Sequence, residues 1–134
     1  MSTEYFLDGK RITSLEAFYD EISRVVIPGA KWGRNLDAFD DILRGGFGTP
    51  AGGYTLRWQD SEVSKAALGY RETERWLEEM LANCHPTNRE SVKERLGCAR
   101  RGRGPTIFDK LVEVIRRHSV GGEEHEDNVQ LILE

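Results

Sequence analysis

Hydrophobic positions along the chain recur at two spacings, one typical of strands and one of helices. Short segments of apolar and β-favouring residues at 4–7, 54–58 and 129–134 predict strands. Between them, apolar residues return every three or four positions, which predicts amphipathic helices. The predicted order is β-α-α-β-α-α-α-β, with the strands separated by helices. It indicates an α/β fold with a small three-stranded parallel sheet packed with helices.

Polar residues and glycines mark the ends of the first two helices. The segment 13–16, TSLE, has the pattern of a capping box, so Thr13 is predicted to begin the first helix and Pro28-Gly29 to end it. Asn35 is a suitable N-cap for the second helix, which ends at Gly45-Gly46. The inward positions predicted for the first helix are Leu15, Phe18, Tyr19, Ile22, Val25 and Val26.

Three further helices are predicted in the second half of the chain. Asp60-Ser61 begins a helical stretch that ends before Pro86, with Gly69 as a point of bending. A second capping-box pattern, TNRE at 87–90, opens the next helix, and Thr106 caps the last one after a basic loop. Their predicted inward residues are Val63, Ala67, Tyr70, Leu77, Leu81, Val92, Leu96, Ala99, Phe108, Leu111, Val112 and Ile115.

Length and composition indicate one soluble domain over residues 1–134. A chain of 134 residues is long enough to bury a core, and 38% hydrophobic with 31% charged residues is typical of a globular protein. A run of about 18 apolar residues, which a membrane helix needs, does not occur. The first residues lack a basic segment followed by an apolar one, so no signal peptide is expected. Two cysteines are then expected as free thiols, which favours a cytoplasmic location.

Charge is distributed unevenly over the chain. The net charge is −4, yet residues 89–103 carry six basic and two acidic side chains, a local charge of +4 that leaves −8 on the rest. The acidic remainder would attract a basic protein and repel nucleic acid. The basic stretch 89–103 leaves open the alternative of a nucleic-acid-binding module, although glutamates are interleaved there and aromatic residues for base stacking are absent.

Candidate catalytic and metal-binding residues show little pattern along the chain. The histidines and cysteines, at 84, 85, 98, 118 and 125, lack the paired spacing of a metal site, so neither a metal nor a cofactor is expected. The glycine-rich loop 45–53 lacks the phosphate-binding motifs and follows a helix instead of a strand. A hydrolase that uses Asp37 or Asp41 with His85 stays an alternative.

The second helix carries an acidic face beside its apolar one. Helical spacing places Leu36, Phe39, Ile42 and Leu43 on one face and Asp37, Asp40 and Asp41 beside it. Asp37 and Asp41 point away from the core at i,i+4 spacing, where like charges destabilise an isolated helix by about 0.2–0.5 kcal/mol. The helix dipole favours Asp37 in the first turn, and Arg44 can pair with Asp40 or Asp41. Of the three aspartates, Asp41 is therefore the one that a purely structural role explains least well.

Residues 32–43, WGRNLDAFDDIL, resemble the signature segment of the barstar family, intracellular protein inhibitors of the ribonuclease barnase. The strand that ends in Asp8-Gly9, the segment YTLRWQDSEVSKA and the final VQLILE are similar too. The resemblance covers residues 3–68 and 105–133, so 69–104 is predicted to be a helical insertion. It implies a barstar-like fold and a free monomer with no enzymatic activity. The implied partner is a basic barnase-like ribonuclease, bound 1:1, with no direct contact to nucleic acid or membrane.

The resemblance also implies which residues bind the partner, because the acidic helix and its preceding loop plug the nuclease active site in this family. Asp37 and Asp41 match the two helix aspartates that contact the enzyme. Lys31 and Asp40 stand where the family often has aromatic residues, which implies a partner that differs in sequence from barnase, or a different basic protein. The full predicted set is Lys31, Trp32, Gly33, Asn35, Leu36, Asp37, Ala38, Asp40, Asp41, Arg44, Gly45, Phe47 and Glu113.

Overall fold

The three strands form one parallel sheet with its middle strand paired on both sides. The computed structural model of the chain describes residues 3–119 and 121–134. Within them, β1 (Glu4–Asp8) pairs with β2 (Tyr54–Gln59), and β2 pairs with β3 (Val129–Leu133). Tyr5, Leu56 and Leu131 lie opposite one another in the register. The predicted α/β fold with a three-stranded parallel sheet is confirmed.

Helices fill the connections between the strands. They are α1 (Leu15–Val25), α2 (Leu36–Arg44), α3 (Ser61–Ala67), α4 (Tyr70–Asn83), α5 (Arg89–Arg100) and α6 (Ile107–Arg116). The helical stretch predicted from Asp60 to Pro86 is divided into α3 and α4, because the backbone at Gly69 is extended. Among the helices of the described residues, none is both long and apolar enough to cross a lipid bilayer.

The first helix begins one residue later than predicted. Ser14, and not Thr13, is the N-cap of α1, and its hydroxyl accepts the N–H of Ala17 at 3.0 Å. This start places Leu15 in the core and turns its N–H towards the carboxylate of Glu72 on α4, at 2.7 Å. A tertiary contact therefore decides the helix start.

The capping box predicted at 87–90 is wrong, whereas two other predicted caps are confirmed. Residues Pro86–Asn88 form a 3-10 turn, and His85 Nδ1 accepts the N–H of Thr87 at 3.2 Å, so Thr87 does not cap α5. Proline fixes the backbone of this turn before α5 begins. Asn35 caps α2 and Thr106 caps α6, as predicted.

The main core lies between the sheet and the helices. The Trp58 ring lies 5.4 Å from the Phe18 ring and 5.1 Å from the Phe108 ring, and its N–H donates to Ser64 Oγ at 2.9 Å. Val63, predicted to face inward, is 45% exposed, because Ser61 and Ser64 occupy the buried face of α3. A second apolar cluster between α4 and α5 consists of Leu77, Val92, Leu96 and Ala99.

Glu72 is a buried carboxylate that joins α4 to the start of α1. It accepts the N–H of Leu15 and two hydrogen bonds from Arg75, at 2.7 and 2.8 Å. Burial by itself would raise the pKa of Glu72, but the hydrogen bonds from Arg75 and Leu15 outweigh it and lower this pKa. The ionised carboxylate therefore stabilises the fold above the ordinary glutamate pKa, and this contribution is lost as pH falls through the lowered value.

We expect Glu72→Gln to lower the free energy of unfolding by about 1–2 kcal/mol at neutral pH, because a charged hydrogen-bond acceptor is removed. The difference from the wild type should shrink below about pH 4, where the wild-type carboxyl is increasingly protonated. Urea denaturation at both pH values measures it, with Glu79→Gln as the control, since exposed Glu79 also pairs with Arg75. If Glu72→Gln lowers the free energy of unfolding equally at both pH values, the ionised Glu72 carboxylate does not make the stabilising contribution assigned to it.

Candidate protein-binding site

The second helix is held against the core by its apolar face. Phe39, Ile42 and Leu43 are at most 2% exposed. The Phe39 ring meets the Phe18 ring edge-on at 5.1 Å, an arrangement that aromatic pairs favour. Asn35 Oδ1 accepts the N–H of Ala38 at 2.8 Å and so closes the first turn. The opposite face of α2 is therefore presented on a rigid support.

Asp37 and Asp41 point away from the core on that opposite face. Asp37 is exposed in the first turn and makes no ion pair within the described residues. The Asp41 side chain is 62% exposed, and its Oδ1 lies 2.7 Å from Arg44 Nη1. Because solvent screens exposed pairs, the Asp41 carboxylate stays available to a cation from another protein.

Asp40 faces inward and is occupied by contacts within the protein. Its side chain is 15% exposed, and Oδ1 lies 2.7 Å from Nε2 of the fully buried His118. Its other oxygen lies 2.7 Å from Arg44 Nη2. Asp40 therefore has less freedom than Asp41 to contact a partner, although it is one of the residues predicted to do so.

Arg44 joins the end of α2 to the segment after α6. It pairs with both Asp40 and Asp41, where the sequence allowed either, and its Nε also lies 2.7 Å from Glu124 Oε1. The hydrogen bond with Glu124 is the main cause that raises the pKa of Arg44, and the charges of Asp40 and Glu124 add to it. The guanidinium thus stays at the surface, 45% exposed, and connects α2 to Glu124.

The loop before α2 combines exposed contact positions with one anchor. Lys31, Gly33 and Asn35 are exposed. Trp32 is half-buried, and its indole N–H donates to Ser23 Oγ at 2.8 Å while its ring meets Tyr19 edge-on. Trp32 therefore fixes the loop to α1, which leaves the positions on either side of it facing solvent.

The other predicted site residues are distributed over three places. Leu36 and Ala38 are half-buried in the first turn of α2. Gly45 follows the helix with a φ of 108°, and Phe47 packs partly against the core in the glycine-rich loop. Glu113 lies on α6, 56% exposed, between Lys110 and Arg117.

An open groove of about 630 Å³ runs beside the start of α2. Asp37 and Asp40 line it together with Trp76 and Arg95, whose guanidinium lies over the Trp76 ring, 5.3 Å from its centroid. The lining residues are Leu15, Glu16, Tyr19, Arg34, Asn35, Leu36, Asp37, Asp40, Trp76, Met80, Arg95, Pro105, Lys110, Val114 and Arg117. The helical hairpin α4–α5 thus extends the surface around the acidic helix.

The basic stretch 89–103 is partly neutralised by its own surroundings. Arg100 lies 3.3 Å from Glu78, and Lys93 lies 3.7 Å from Glu90. These acidic neighbours weaken the potential that nucleic-acid binding would require.

The catalytic alternative gains no support from the position of His85. Its ring contacts Thr87 in the turn between α4 and α5, and neither Asp37 nor Asp41 is among its partners in the described part of the chain. Without a carboxylate that orients the ring, His85 lacks the partner that a catalytic base requires.

The chain matches one known protein family over most of its length. The family described as Barstar (barnase inhibitor) matches residues 3–97, more than half of the chain. The chain belongs to the barstar family. The matched region of this barstar-family protein contains the loop 31–35 and all of α2. It also extends through 69–97, and the interpretation of 69–104 as an insertion stays a prediction. A search of curated proteins found no match.

The sequence did not predict the group of side chains that lies on the inward side of α2, next to Asp40 and Arg44. His118, Glu124 and Asp127 come from the end of α6 and the segment after it, and His118 is 78 positions from Asp40. Their spacing along the chain contains no signal for this contact. Only the packing of α2 beside α6 brings them together.

Proposed function

We propose that this protein binds a basic, barnase-like ribonuclease and blocks its active site with α2 and the preceding loop. The observation that carries the proposal is the pair Asp37 and Asp41, exposed on one face of a helix whose opposite face is fully buried. A ribonuclease offers cationic side chains to the phosphate of RNA. Carboxylates on α2 satisfy those side chains without a bond that can be cleaved, so the complex is inhibitory.

Rigidity and charge both favour such a complex. Because Phe39, Ile42 and Leu43 hold α2 in place, little conformational freedom is lost when the acidic face is bound. Complementary charge raises association rate constants to about 10⁸–10⁹ M⁻¹s⁻¹ at low salt, a magnitude known from barnase and barstar themselves. We therefore expect the association rate to fall as salt is added.

The partner differs from barnase in this proposal, because Asp40 and Lys31 replace aromatic residues expected from the family. Asp40 is largely occupied by His118 and Arg44, which leaves Asp37 and Asp41 as the principal charged contacts. We propose a 1:1 complex formed in the cytoplasm by a monomeric inhibitor without catalytic activity. Another basic protein, bound through the same face, is the alternative.

Inhibition assays test the proposal directly. The protein is titrated into barnase and, separately, into a basic ribonuclease encoded beside its own gene, with cleavage of an RNA substrate as the readout. We expect cleavage by the neighbouring enzyme to fall to zero at one equivalent and barnase to be inhibited less. If the nuclease is bound and still cleaves RNA at full rate, the active site is not the binding site and the proposal fails.

A further inference from the structure

A fully buried histidine, His118, lies on the inward side of α2, with carboxylates close to both of its ring nitrogens. His118 follows the end of α6, where its Nδ1 lies 2.6 Å from Asp127 Oδ2. Its Nε2 lies 2.7 Å from Asp40 Oδ1 and 3.5 Å from Glu124 Oε2. Both nitrogens of the ring therefore face oxygen atoms that only accept hydrogen bonds when ionised.

This arrangement requires a cation beside Nε2. A neutral imidazole that donates from Nδ1 to Asp127 carries a lone pair on Nε2. That lone pair would face the lone pairs of Asp40 Oδ1 across 2.7 Å, which is unfavourable unless a proton bridges the two atoms or a metal ion binds both from one side. Among the described residues, the contacts of Nε2 are the carboxylates of Asp40 and Glu124, and no donor is among them.

The charge around the ring is suited to a divalent ion. Three carboxylates, from Asp40, Glu124 and Asp127, lie beside His118, and Arg44 pairs with two of them, Asp40 and Glu124. Arg44 is the guanidinium among them, and it binds Asp40 through Oδ2 and Glu124 mainly through Oε1. Asp40 Oδ1 is thus left to His118, and Glu124 Oε2 lies between Arg44 Nη2 at 3.2 Å and His118 Nε2 at 3.5 Å, with negative charge in excess.

We propose that His118 Nε2, Asp40 Oδ1 and Glu124 Oε2 bind a divalent transition-metal ion of the zinc class. The three donor atoms lie within 4.8 Å of one another. Tetrahedral zinc ligands stand about 3.3 Å apart, given bonds of about 2.0–2.1 Å. The distances of 2.7 and 3.5 Å from Nε2 lie on either side of that spacing, so these two separations need to change by less than 1 Å.

Asp127 completes the arrangement as the residue that orients the ring. Metal-bound histidines commonly donate their other N–H to a carboxylate, which fixes the tautomer and raises the basicity of the ligand. The Asp127 contact at Nδ1 supplies this feature. One nitrogen and two oxygen donors favour zinc over magnesium, which prefers oxygen alone and octahedral geometry.

The proposed site can be reached from solvent, and an ion bound there would connect two parts of the fold. The Glu124 side chain is 30% exposed, so the site opens at that edge, where a water would be able to take the fourth position. The bound ion would join α2 to the segment after α6 and hold the acidic helix in place. This inference does not depend on the identity of the protein partner.

Calorimetric titration of the full chain with ZnCl₂ tests the site. We expect one zinc ion per chain with micromolar or tighter affinity, and no binding of Mg²⁺ over the same concentrations. Asp127→Asn should weaken zinc binding about 10–100-fold, as for other residues that orient a metal-bound histidine. Glu124→Gln, at the exposed edge, should remove one ligand and weaken binding by at least about tenfold, even if His118→Gln fails to fold.

His125→Gln is the matched control, since exposed His125 lies in the same segment and contacts Gly122. It should bind zinc as the wild type does, and nitrogen NMR should show the zinc-induced change at His118 Nε2 alone. The proposal is overturned if the wild type binds no zinc up to millimolar concentration. It is equally overturned if zinc is lost in His125→Gln and retained in Glu124→Gln, or if zinc leaves a proton on His118 Nε2.

Discussion

Asp41→Ala is expected to weaken binding of the basic ribonuclease by at least about 30-fold. Removing one member of a charge pair that is buried in a complex costs about 2–5 kcal/mol, because the other charge stays buried without a partner. In the free protein Asp41 is 62% exposed and pairs with Arg44, so its removal changes folding stability by less than about 1 kcal/mol. Surface plasmon resonance and urea denaturation measure the two effects separately.

Glu62→Ala provides the matched control for Asp41→Ala. Glu62 is an exposed acidic residue on α3, and its replacement removes the same charge from the whole protein. We expect Glu62→Ala to bind the nuclease with an affinity within about twofold of the wild type. Salt screens charges that lie more than a Debye length from the interface, so the loss of a charge outside it should have little effect. The role assigned to α2 is wrong if Asp41→Ala binds within about threefold of the wild type.

Phe39→Ala is expected to lower the free energy of unfolding by about 3–5 kcal/mol, the usual cost of a large cavity at a buried aromatic residue. Phe39 is fully buried against Phe18, so its replacement removes apolar contact and leaves a space that the core fills only in part. Small domains are stable by about 5–15 kcal/mol, so much of the stability would be lost. Urea denaturation followed by circular dichroism gives the change.

Asp37→Ala, on the opposite face of the same helix, is the control for Phe39→Ala. Asp37 is exposed and makes only a favourable interaction with the helix dipole, which is worth about 0.3–1 kcal/mol. We expect a correspondingly small loss of stability together with a clear loss of nuclease affinity. If both variants lower the free energy of unfolding by similar amounts, the face of α2 with Phe39 is no more important for stability than the face with Asp37. That result would contradict the role assigned to the buried face.

Much of the fold could be predicted because its signals are local. Apolar spacing located the strands and the apolar face of α2, and Gly45-Gly46 marked where α2 ends. Gly69 was predicted only to bend one helix, whereas the structure divides that stretch into α3 and α4. The predicted caps Asn35 and Thr106 are confirmed because each side chain bonds to an amide three residues away. The same local pattern placed Asp37 and Asp41 on the outward face.

Predictions failed where a distant residue competes with a local signal. Thr13 and Ser14 are both suitable caps, and the bond from Leu15 N–H to Glu72, 57 positions away, favours the later start. Val63 has the spacing of an inward residue, but Ser64 takes the buried position because its hydroxyl donates to the Gly9 carbonyl.

The sequence by itself determined the α/β class, the acidic face of α2 and the family resemblance that gives this face its proposed role. Only the tertiary structure decided which aspartates of α2 remain exposed, so that a binding partner can reach them. Asp40 is turned inward by His118 and Arg44, while Asp41 stays exposed. Sequence spacing along one helix fixes the angle of a side chain, whereas its partners depend on which other elements pack beside it. His118 was therefore unremarkable in the sequence, and the fold alone places it among the carboxylates behind α2.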